Sequence, residues 1–116
     1  MHIISASYKN RRVKIPVGQY SSVVTDISYD ANYVDGEAFK ISYTLTSADG
    51  TDYSYSEIFH NTMSNPRTAQ FFEYLDSAGV PQREDGLPDL VGFNETLVLK
   101  RQIGYSKPVI EEREPA

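Results

Sequence analysis

The segment EAFKISYTLTSADGTDYSYSEIFH, residues 37–60, decides the fold, because it holds two strands and the turn that sets their mutual register. In its first half Phe39, Ile41, Tyr43 and Leu45 alternate with Ala38, Lys40, Ser42 and Thr44. That period of two belongs to a strand with one apolar face. Asp49-Gly50 is a strong hairpin signal. The second half is ambiguous: Tyr53, Tyr55, Glu57 and Phe59 share one side, Ile58 and His60 the other. Loop parity chooses between them. An even loop, whether Asp49-Gly50 or Ser47 to Gly50, puts Tyr53, Tyr55, Glu57 and Phe59 on the outer face with Lys40, Ser42 and Thr44, and turns Ile58 inward toward Phe39 and Ile41. An odd loop buries Glu57 among Phe39, Ile41 and Tyr43, and an unpaired buried carboxylate is costly. The even loop is therefore expected, with Lys40 near Glu57 across the strands.

Upstream, Pro16 and Gly18 mark a bend, and Val23, Thr25 and Ile27 alternate with Val24, Asp26 and Ser28 in a strand bulged near Val23 and Val24. Asn32 to Gly36 reads as a loop. Downstream, Asn65-Pro66 reads as a helix cap followed by proline at the first helical position, with Gly79 as the stop. Phe71, Leu75 and Ala78 form the apolar stripe of that helix, flanked by Phe72 and Tyr74. Residues 80–93 form a polar connector. Leu97 and Leu99 alternate with Thr96, Val98 and Lys100, Gly104 turns the chain, and YSKPVIEER gives a last short strand with Pro108 at an edge. This order, three strands, a helix and two strands, is that of a five-stranded OB-like barrel in a mostly β (α+β) chain, with one helix between strands 3 and 4.

The 116 residues suit one domain. A basic arm over residues 1–14, an OB-like domain over 15–110 and a short acidic tail over 111–116 are expected. Net charge is −5, but residues 1–14 hold Lys9, Arg11, Arg12 and Lys14 and no acid, so the other 102 carry −9. No apolar run spans a membrane, the N-terminal residues lack the long apolar stretch of a secretory signal, and cysteine is absent, which is compatible with a reducing cytoplasm.

Several short pieces resemble a known family: PVGQY, GEAFKISYTL leading into DG, NP before a helix ending AGV, DLVGFNETLVLK and YSKPVIEE. They are similar to a phage-encoded family of domains of unknown function, itself similar to single-stranded-DNA-binding proteins encoded near phage recombination and replication genes. The resemblance covers roughly Ile15 to Ile110. It implies an OB-like barrel acting on single-stranded DNA in the bacterial host's cytoplasm. Phe93 stands where a basic residue is expected after LVG, and the body is acidic where a nucleic-acid groove is positive. No catalytic set is carried over.

Single-strand binding requires a positive groove and rings on which bases stack. Tyr53, Tyr55 and Phe59 are the expected platform, with Lys40, Lys100, Arg101 and Lys107 as phosphate contacts and Lys9, Arg11, Arg12 and Lys14 as a further arm. Ordinary strand packing, with a loop or the helix covering them, also accounts for such rings. The rival reading is a small acidic protein that binds a replication, recombination or defence enzyme, such as a CRISPR-type nuclease, and blocks its nucleic-acid surface. His2 and His60 are the only histidines, no nucleophile elbow or glycine-rich phosphate loop is present, and no metal-ligand spacing occurs. A non-catalytic monomer without cofactor or membrane partner is expected.

Overall fold

The computed structural model describes residues 14–34 and 36–116; Lys9, Arg11 and Arg12 lie outside the described residues. Its elements are β1 (Gly18–Tyr33), β2 (Gly36–Thr46), β3 (Asp52–His60), α1 (Pro66–Ser77), β4 (Asn94–Lys100) and β5 (Val109–Pro115). The strands make one antiparallel sheet in the order β3-β2-β1-β4-β5. Element types and order follow the sequence reading. The sheet is open: β3 and β5 form its two edges, and among the described residues no backbone ladder closes it.

β1 is long enough to serve two partners, pairing with β4 through Gly18–Val23 and with β2 along most of its length. A bulge makes this possible. Val24 pairs with Tyr43 and Asp26 with Ser42, leaving Thr25 over. The extra residue changes parity, so Tyr20, Ser22 and Val24 face inward before it and Ile27 after it. Val23 and Thr25 therefore do not share the inner face with Ile27 as the plain alternation suggests.

Helix α1 starts where the sequence indicates. The Asn65 side chain accepts bonds from the backbone N–H of Arg67 (3.0 Å) and Thr68 (3.3 Å), satisfying donors that have no partner within the helix. Thr68, Phe71 and Leu75 are its buried residues. Phe39, Ile41, Tyr43 and Leu45 of β2 join them, as expected, with Leu97 and Leu99 of β4 and Leu87 and Leu90 of the connector.

The β2–β3 loop overturns the expected register. Thr46 pairs with Asp52 and Tyr43 with Tyr55, so odd-numbered residues face odd-numbered ones. Ser47 N–H also bonds Thr51 O at 2.9 Å, closing a three-residue loop of Ala48, Asp49 and Gly50. A two-residue type I′ turn needs positive φ at both Asp49 and Gly50, but only Gly50 has it, at +86°. Gly50 instead ends a turn in which its N–H bonds Ser47 O at 3.0 Å. The Asp49 carboxylate accepts the Ser47 hydroxyl and the Thr51 N–H, holding the tip. The loop is odd, Glu57 lies inside, and Ile58 is 40 % exposed.

A second correction concerns the C-terminal residues. Those expected to form an acidic tail continue β5, pairing Leu97 with Arg113 and Glu95 with Pro115.

Candidate functional site

The three rings expected outside are turned inward. Tyr53 is half-buried, its ring 5.9 Å from that of Tyr20. Phe59 is buried and stacks on Phe39 at 5.4 Å and on Phe71 at 4.4 Å, with the Arg67 guanidinium 4.0 Å from its ring centre. Tyr55 is buried too. Its hydroxyl donates to Pro108 O at 2.8 Å and accepts from the Ile110 backbone N–H, and burial pushes its pKa up to about 12. Tyr55 thus joins one sheet edge to the other. The outer face, where the platform was expected, carries Ser42, Thr44, Ser54 and Ser56 from β2 and β3, all short hydroxyls.

Where the edges approach each other, the cost of burying Glu57 is offset by partners from three elements. Glu57 Oε1 accepts from the Tyr43 hydroxyl (2.7 Å) and from Arg113 (2.8 Å), and Oε2 accepts from Arg67 (3.1 Å). A second buried carboxylate, Glu95, accepts from the Tyr74 hydroxyl at 2.7 Å and lies 3.6 Å from Arg113. Burial raises the Glu95 pKa, only partly countered by the Arg113 charge, and raises those of Tyr43 and Tyr74. The neighbouring carboxylates raise that of Arg113 despite its burial, so it stays charged. Between α1, β3 and β5 lies a crevice of about 280 Å³ lined by Phe59, Phe71, Tyr74 and these ions. Its charged groups are mutually paired, which suits a structural latch.

The β4–β5 loop gathers three of the four expected phosphate contacts. From Lys100 to Lys107 it holds three cations and no acid. Tyr105 N–H bonds Gln102 O at 3.2 Å, and Gly104 has φ +91°, so Ile103 stands at the turn tip, fully exposed. Tyr105 is 57 % exposed. Lys100 pairs with Glu111 at 3.3 Å. Lys107 donates to Ser56 O at 2.5 Å and lies 4.3 Å from the Tyr55 ring centre. Arg101 is exposed. Lys40 stands apart, exposed on the outer face of β2, and Lys14 is exposed at the start of the described chain. Ile103 and Tyr105 were not singled out in the sequence, although a ring and an aliphatic side chain between cations in an acid-free turn were a usable signal.

Among the described residues, no group of three or more His, Asp or Glu side chains could hold a metal ion, and no helix is long and apolar enough to cross a membrane. Comparison with protein-family models, curated proteins and solved structures finds nothing that matches this chain.

Proposed function

We propose that this chain is a partly open OB-type module, a non-catalytic accessory of phage replication or recombination that binds single-stranded DNA through its β4–β5 loop in the cytoplasm of the host. The architecture supports this reading. In OB folds the helix follows strand 3, strands 3 and 5 lie beside each other at the closure, and the 1–2 and 4–5 loops bind oligonucleotides. Here β3 and β5 face each other through Tyr55, Glu57 and Arg113 instead of a backbone ladder. The observation that carries the function is the loop itself: Lys100, Arg101 and Lys107 in an acid-free turn that displays Tyr105. Phosphates would lie on the cations and a base on the phenol ring. Fluorescence anisotropy of labelled oligo-dT at low salt tests it. Wild type binds, and Arg101→Ala/Tyr105→Ala weakens binding about five-fold or more, the lower end of one lost stack. No binding by wild type, or equal binding by the variant, overturns the reading.

The inhibitor reading is favoured by the burial of Tyr55 and Phe59 and by the −9 carried outside the first 14 residues. An acidic body complements the basic groove of a replication, recombination or defence enzyme, and Ile103 and Tyr105 would be its anchors. Inhibition of such an enzyme by wild type but not by Ile103→Ser/Tyr105→Ala, with no oligo-dT binding, selects this alternative.

A further inference from the structure

We infer that a crevice on the outer face of the sheet, between Tyr33, Ile58 and Lys40, holds one base of the bound strand; this rests on the single-strand reading above. Two rows of residues lie side by side there. Ser28, Lys40 and Ile58 are cross-strand neighbours, and the next row is Asp30, Ala38 and His60. By parity Ala38 points outward, yet it is 1 % exposed. The Tyr33 ring lies over this row, its centre 6.0 Å from that of His60. Between Tyr33 and the still exposed Ile58 a mainly apolar crevice of about 140 Å³ remains.

The occupant follows from size and charge. The volume suits one flat ring system and excludes a whole nucleotide. A phenol on one side and a branched aliphatic chain on the other offer the apolar contact that an unstacked base seeks. Among the described residues Lys40 is the one cation lining the crevice, and it stands where the attached phosphate would pass. Asp30 lines the same crevice; it repels phosphate and can accept from ring or exocyclic N–H groups. Its carboxylate already accepts the Asn32 N–H at 2.9 Å, which fixes it in place. A base inserted here therefore directs its N–H edge toward Asp30 and its sugar toward Lys40. The ring contact expected of Tyr53, Tyr55 and Phe59 is thus supplied on that face by Tyr33, from the end of β1.

Methyl NMR and anisotropy with short oligo-dT, and with an abasic oligomer of equal length, test the inference. On addition of oligo-dT to wild type, the Ile58 δ1 methyl is expected to shift upfield from the ring current of the base, and the abasic oligomer should leave it in place. Tyr33→Ala should weaken oligo-dT binding about five-fold or more, while Tyr33→Phe, which keeps the ring, binds like wild type. If wild type binds and Arg101→Ala/Tyr105→Ala weakens it, but the Ile58 methyl does not move, the crevice proposal fails and the loop reading stands. Equal affinity for the abasic oligomer sinks the crevice and the base stacked on Tyr105 together, leaving only the phosphate contacts of the loop. Absence of any wild-type binding removes both.

Discussion

A carboxylate on the apolar face of a strand is tolerated only if charged or hydrogen-bonding partners meet it, and Glu57 is met by three. The pairing is shared, because Arg113 also faces Glu95. Arg113→Ala should leave two buried carboxylates short of charge and cost about 3–5 kcal/mol in urea unfolding. Glu57→Met/Arg113→Met should lose less than this, because no uncompensated charge remains at Glu57. A carboxyl whose pKa is raised by folding, as that of Glu95 is, binds its proton more tightly in the folded state. Its contribution is favourable below its unfolded pKa and is lost as pH rises through the folded value. Glu95→Gln should therefore gain stability relative to wild type as pH is raised from about 4 to 7. Unfolding curves at several pH values check the sign.

Among the elements, the β2–β3 hairpin has the widest consequences. Its loop length determines which side of β3 meets the core, because side chains alternate with a period of two. Deleting Ala48 would make the loop even and present Ile58 and His60 to the core in place of Tyr55, Glu57 and Phe59. Loss of a cooperative unfolding transition is expected; a deletion variant that unfolds cooperatively with wild-type stability would refute this account of the register. The Asp49-Gly50 pair announced a turn but not its type. Both the two-residue and the three-residue loop accept Gly at that place, and only the negative φ of Asp49 distinguishes them. Helix α1 was legible to within a residue or two, because its cap and proline act locally. The bulge at Thr25 was only approximately legible, since an extra residue leaves no signature in Val-Val-Thr-Asp beyond a break in alternation.

For the molecule as a whole, the acidic body and the basic loop make any contact with nucleic acid local. Three loop cations limit the number of phosphates neutralised there, and Lys40 would add one more at the crevice. The plot of log affinity for oligo-dT against log salt should therefore have a slope between about −2, for the loop alone, and about −3 with Lys40, from roughly 0.7 per phosphate on a single strand. A slope several times steeper would mean that cations beyond this loop and Lys40 make contact. The latch between β3 and β5 also belongs to this scale, since Tyr55, Glu57 and Arg113 join edges that are not neighbours in the sheet.

The sequence by itself determined the five strands, the helix and their order, because alternation, capping and turn residues act within a few positions. The tertiary structure alone decided which face of β3 is buried, and with it where rings can be offered to a ligand. The reason is the origin of Glu57's partners: Tyr43, Arg67 and Arg113 lie 14, 10 and 56 residues away. A carboxylate that looks too costly to bury when only its own hairpin is considered becomes acceptable once the helix and the last strand bring their guanidinium groups to it.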